Sequence, residues 1–229
     1  MTAHLISVIG SSPGVGKSTV CRAVAEWLAG TGASVDHFEE ADIVTRSAFR
    51  PVADEFADGA GAVRPETLVA CTRAYVAESL RAGRDHLVAD ALLPFIPSLV
   101  AWGHDEDAIA HVVDELARAV EPFEVTVVYV HDDPETALRR AIEREGDAWG
   151  DWYVRKLAGS PGTRSVHDLA SAAEHLRRES DLTCRLLARS PWRLLTVDVS
   201  TLSAREAAAH TRRRLSNVLQ FPSVVPPEQ

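Results

Sequence analysis

The chain has 229 residues, 46% of them hydrophobic and 25% charged, the make-up of an ordinary soluble globular protein with length for one α/β domain. A net charge of −9, with Arg212–Arg214 as the sole basic run, argues against nucleic-acid binding, which needs a positive face. The most apolar long stretch, Leu87 to Trp102, contains Asp90, Pro94 and Pro97, so no membrane span is expected.

Leu5 to Ile9 is a β-branched apolar run and reads as a buried strand. Ser11, Ser12, Pro13, Gly14, Val15 and Gly16 then make a turn, and a helix opens at Lys17 and ends near Gly30 and Gly32. Strand, glycine loop and helix N-terminus in this order form a phosphate cradle. Backbone N–H groups converge on an anion, the helix dipole adds partial positive charge, and Lys17 adds a full one. The match to the Walker A pattern G-x-x-x-x-G-K-[ST] has one departure, Ser11 at the first glycine position. Residues Ser12, Pro13, Gly14, Val15, Gly16, Lys17, Ser18 and Thr19 are therefore expected to bind nucleotide, with the Ser18 hydroxyl on Mg²⁺.

Ser34–Phe38 alternates like an edge strand and runs into Glu39, Glu40 and Asp42. A polar stretch follows, loosest around Gly59–Gly61, and Pro65 opens a helix whose buried side carries Leu68, Val69, Val76 and Leu80. His86–Asp90 is a third strand. Its terminal Asp90 has the Walker B position, an acid delivered beside the loop to hold Mg²⁺ directly or through water. Ala108–Val120 has helical spacing, and Val125–Val130 reads as a strand buried on both faces. Pro134–Arg144 is the next helix. Gly146–Gly162 reads as a connection with a helical turn or two at Asp151–Leu157. A helix from about Val166 to Ala188, a strand Leu194–Val199 and a helix Ser203–Leu219 follow, and Phe221–Gln229 reads as a disordered tail.

Strands alternating with helices predict a single three-layer domain over 1–220, with a five-stranded, mostly parallel sheet and helices on both faces. Ligands of such sheets bind beyond the carboxyl ends of the strands. Cys21, Cys71 and Cys184 share no metal-ligand spacing and suit a reducing compartment. A first strand beginning at the fifth residue leaves no room for a signal peptide, so the cytoplasm is expected.

Pro134-Glu135, Leu138, Arg140-Ala-Ile-Glu-Arg144 and Trp152-Tyr-Val-Arg-Lys-Leu157 resemble the lid region of deoxynucleoside kinases and their nucleotide-kinase relatives. The resemblance covers the glycine loop and about 129–157, with a lid at about 140–163. It implies a P-loop kinase domain in which Arg140 and Arg144 reach the transferring phosphoryl group. It also implies a carboxylate base at the end of the second strand. Glu40 is the first candidate and Asp36 the second, with Glu39 and Asp42 open. Val35-Asp36 is similar to the strand end of chloramphenicol phosphotransferase, where an aspartate has that role. One departure bears on the acceptor: Ala91, Leu92 and Leu93 follow Asp90 where those kinases carry arginine, which favours a less anionic molecule. The expectation is a kinase that uses ATP and Mg²⁺ to phosphorylate a hydroxyl of a nucleoside-like metabolite or natural product. An ATPase or switch without such an acceptor is the alternative. A homodimer is left open, and neither nucleic acid nor membrane is expected as a partner.

Overall fold

The computed structural model describes residues 3–57, 61–90 and 92–219. The expected loose stretch at Gly59 and Ala60, the wall residue Ala91 and the tail from Phe221 lie outside them. Five strands, β1 (His4–Gly10), β2 (Val35–Phe38), β3 (His86–Asp90), β4 (Glu124–His131) and β5 (Arg193–Asp198), form one all-parallel sheet in the order β2-β3-β1-β4-β5. Central β1 buries Leu5, Ile6 and Val8 completely. Each such side chain is worth about 1.5–3 kcal/mol relative to exposure, so β1 anchors the sheet. Half-exposed β2 is an edge, as its alternation predicts.

The helices are α1 (Lys17–Ala29), α2 (Arg50–Ala57), α3 (Pro65–Arg81), α4 (Ile96–Ala101), α5 (Glu106–Ala119), α6 (Pro134–Glu145), α7 (Asp147–Ala158), α8 (Leu169–Arg189) and α9 (Ala204–Val218). The period-2 alternation of the strands sorts the core into two layers. Leu5, Ile9, Leu87, Ala89, Val127 and Tyr129 pack with α3, α5 and part of α8. Ile6, Val8, Val88, Val128, Val130 and Leu195 pack with α1 and α9 on the other face. The result is a three-layer α/β domain.

Several expectations are corrected. The polar stretch after β2 contains two 3₁₀ turns and α2, held by buried Phe49 and Val52. Leu80 is 42% exposed; the buried side of α3 instead runs through Leu68, Thr72, Tyr75 and Val76. The connection after α6 is the full helix α7, because Tyr153 and Leu157 bury against Leu138, Ala172 and Leu176. Helix α8 starts at Leu169, where the Asp168 side chain accepts from Ser171 N–H and Ser171 reaches back to the cap.

Candidate functional site

The chain leaves β1 toward β2 and β3 on one side and comes back to β4 and β5 on the other. The loop after β1 therefore sits where the strand order reverses, at the carboxyl ends of the strands. Ser11 N–H donates to Val130 O (2.9 Å) and its hydroxyl accepts from Asp132 N–H (3.4 Å), so the serine ties the loop to the end of β4. Gly14 has φ +87°, and a Cβ there would stand 2.2 Å from Ala137 O of α6. Both conformation and close approach demand glycine. Gly16 also has φ +87° but faces open space, so its requirement is conformational.

Gly16 caps α1 without a side-chain hydrogen bond, and no acid stands in the first turn. By contrast Asp105, Asp133, Asp168 and Ser203 cap α5, α6, α8 and α9. The positive end of α1 thus has backbone donors that no side chain satisfies. Ser18 and Thr19 are exposed in that first turn, and the Ser12 hydroxyl is buried with no hydrogen-bond partner among the described residues.

At the head of α1, Lys17 reaches two carboxylates. Its ammonium donates to Asp90 at the end of β3 and to Glu40 at 2.9 Å. The Asp90 side chain is 5% exposed and that of Glu40 is 74% exposed. Burial opposes the lysine charge, but the charges of Asp90 and Glu40 and their hydrogen bonds prevail and hold the ammonium above its usual pKa.

The four carboxylates in and after β2 divide between two groups of contacts. Asp36 and Asp42 both grip Arg46, at 2.8 and 2.9 Å. The guanidinium also donates to His37 O and lies 5.0 Å from the Phe38 ring centre and 5.4 Å from that of Tyr75. Glu39 and Asp42 close a capping box on the following turn. Glu40 alone of the four reaches Lys17, and it lines the cleft; Asp36 does not.

That cleft, of about 640 Å³, runs from Gly10–Pro13 and Lys17 to a cavity between α2, α4, α7 and α8. Its walls are apolar and aromatic: Leu93, Phe95, Trp102, Trp149, Trp152 and Tyr153. Trp149 and Tyr153 stack, 5.1 Å between centres and 5° between planes. Phe95 is held at φ 61°, a left-handed conformation costly for a bulky residue, and its ring is buried in the wall. Leu93 N–H and O both bond the buried Ser7 hydroxyl, which fixes the segment after β3. His175 and Glu179, one turn apart on α8, add a polar pair, Nε2 to Oε2 3.4 Å.

The expected arginines are brought to carboxylates. Arg140 pairs with Asp132, whose side chain is buried beside Ser11, while Arg144 pairs with Glu145 at 2.8 Å. Neither lines the cleft. Gly150 and Gly162 are close-packing positions, with Ile142 and Val100 where a Cβ would go; only Gly146, at φ +93°, has a hinge-like backbone between α6 and α7. Sequence reasoning did not single out Phe56, Phe95, Trp102, His175 or Glu179. The i,i+4 spacing of His175 and Glu179 was the readable signal for that pair.

Among the described residues, no cluster of three or more His, Cys, Asp or Glu could hold a metal, and no helix is long and apolar enough to cross a membrane. No family model matches the chain, and no curated protein matches it.

Proposed function

We propose that the protein is a P-loop phosphotransferase, moving the γ-phosphoryl group of ATP to a hydroxyl of a small molecule held in the cleft. One observation carries this: the glycine loop, the uncapped start of α1 and Lys17 open on the same cleft as Glu40 and an apolar cavity. A cavity of a few hundred Å³ with apolar walls and few polar groups is what a small organic ligand needs.

The residues fit a nucleotide phosphate with its Mg²⁺. Unsatisfied α1 N–H groups, the orphaned Ser12 hydroxyl and Lys17 are donors for anionic oxygens. Ser18 and Asp90 would hold the Mg²⁺, which when bound neutralises charge on the phosphates. Lys17 would exchange its carboxylate partners for phosphate oxygens. Glu40, released from Lys17, would accept the acceptor's proton as its oxygen bonds to Pγ and ADP leaves with the former bridging oxygen. Arg140, beside the loop through Asp132, would stabilise developing charge after a swing from that pair. A cytoplasmic setting goes with this reading, since ATP is held there and the three thiols, Cys21, Cys71 and Cys184, are free.

The test is ADP release with Mg-ATP alone and with a panel of hydroxylated small molecules, with phosphorylated product identified by mass. Stimulation by an acceptor, with product, supports the transferase. Hydrolysis that no acceptor alters points to an ATPase or switch. No binding and no turnover would remove the nucleotide reading altogether.

A further inference from the structure

Glu179 is an unusual wall residue. Its side chain is 10% exposed and His175, 9% exposed, stands 3.4 Å away on the same helix. Among the described residues no arginine or lysine pairs with it and none donates it another hydrogen bond. A charge-assisted N–H···O⁻ bond is normally about 2.7–2.9 Å, so the histidine is a loose partner. An ionised carboxylate offers roughly four acceptor sites, most of which His175 leaves unused. Burying such a group is costly unless something compensates it.

Among the described cleft residues, no lysine is placed to pair with it. Lys17 is engaged by Asp90 and Glu40, and Lys156 lies over the exposed Trp152 ring, 5.3 Å from its centre. The Tyr153 phenol, which also lines the cavity, is pushed above its usual pKa, first by burial and then by the nearby Glu179 carboxylate. The surrounding rings present π faces, which attract cations and repel anions.

From this geometry we infer that the cleft takes a flat, apolar molecule bearing a protonated amine, the ammonium on Glu179 and the ring among Phe95, Trp149 and Tyr153. Its hydroxyl then faces Glu40 and the glycine loop, a last step that rests on the phosphotransferase reading. Of the described lysines lining the cleft, Lys17 is taken by Asp90 and Glu40 and Lys156 lies over the Trp152 ring, which disfavours anionic acceptors such as nucleotides, in line with Leu92 and Leu93 after Asp90.

The probes are tyramine, 4-ethylphenol and 3-(4-hydroxyphenyl)propionate, which share ring and phenol and differ in charge. Binding to the full chain is read by tryptophan fluorescence, since Trp102, Trp149 and Trp152 line the cleft, and by thermal shift. Tyramine should bind roughly tenfold more tightly than 4-ethylphenol, the usual scale for one hydrogen bond to a charged group, and the propionate should bind most weakly. In Glu179→Gln the tyramine preference should shrink to about twofold, with stabilisation by Mg-ATP retained. The comparison of probes on the unaltered protein stands even if that variant folds poorly. Equal binding of tyramine and 4-ethylphenol, a preference for the propionate, or no binding of any probe at millimolar concentration would overturn the inference. Tyramine bound but not phosphorylated by Mg-ATP would support this pocket while sinking the transferase. Phosphorylation of neutral alcohols with no preference for amines would do the reverse.

Discussion

Lys17→Met tests whether the lysine belongs to the fold as well as to a ligand. The side chain is removed from between Asp90, a buried carboxylate, and Glu40, an exposed one. The Glu40 arm counts for little, because solvent screens a pair whose acid is largely exposed. On the Asp90 arm, removing one partner of a buried pair leaves a charge uncompensated, a loss of about 3–5 kcal/mol. Relief of the lysine's own burial, the largest influence opposing its charge, puts the result at the lower end. A loss of about 3 kcal/mol lowers the melting temperature of a chain this size by roughly 6–12 °C. Lys17→Met/Asp90→Asn removes both charges and should recover most of that, since contacting residues are not additive. Denaturant melts of the parent, both single variants and the double variant give the coupling. Mg-ATP at about 100-fold over its Kd should add about 2.7 kcal/mol to the parent and nothing to either lysine variant. A single variant as stable as the parent, with a double variant no better, would refute the buried pair. Full ATP-dependent stabilisation in Lys17→Met would refute the cradle.

Three further outcomes follow from the same contacts. Glu40→Gln should leave the melting temperature nearly unchanged and slow transfer by roughly 10²-fold, whereas Asp36→Asn should weaken the Arg46 cluster and lower the melting temperature with turnover per folded molecule intact; steady-state kinetics beside calorimetry decides, and an inactive, stable Asp36→Asn would move the base to Asp36. Arg140→Ala should depress kcat more than ATP binding, while Arg144→Ala, which removes an exposed neighbour pair, should change neither by more than about twofold; matched losses would return Arg144 to the reaction. His4 and His86 stack at 5.6 Å, and both are held below the usual 6.5, chiefly by burial and, for His86, by the His4 charge. The unfolded chain then takes the protons first, so their stabilisation is complete above pH 6.5 and is lost as the pH falls below it; His4→Phe should flatten the melting-temperature decline between about pH 6.5 and 5.

The sheet was legible because its signals are local. Val125–Val130 could be read as a buried strand from β-branching alone, and Gly14, Gly16 and Lys17 stand at spacings that few other structures need. What was not legible depends on packing between distant segments. Helix α7 holds its shape because Tyr153 and Leu157 meet Leu138 and Leu176. Its glycines and tryptophans, read one by one, look like loop chemistry, and tertiary burial overrides that propensity. Gly162 serves close approach to Val100 O, a requirement set by an atom far along the chain.

The same distinction separates the two ends of the site. At the phosphate end, chemistry is concentrated in one loop, so residue types and spacing identify the candidates. Among the carboxylates in and after β2, residue type does not distinguish Asp36 from Glu40; the difference arises because Arg46 folds back to take Asp36 and Asp42 out of reach, and leaves Glu40 for Lys17. At the cavity end the walls come from several helices. Phe95 enters by a strained backbone, Trp102 from the end of α4, and His175 and Glu179 from one face of α8. No single segment carries a pattern there, and an apolar residue bound for a ligand pocket is indistinguishable in sequence from one bound for the core. The buried acid is the exception. A carboxylate beside the apolar side of an amphipathic helix opposes the hydrophobic pattern, and Glu179, its side chain 10% exposed, three residues past Leu176 and four past His175, is such a departure. Local rules broken inside a well-packed element mark places where something other than stability sets the residue, and Glu179 is where that reasoning leads in this fold.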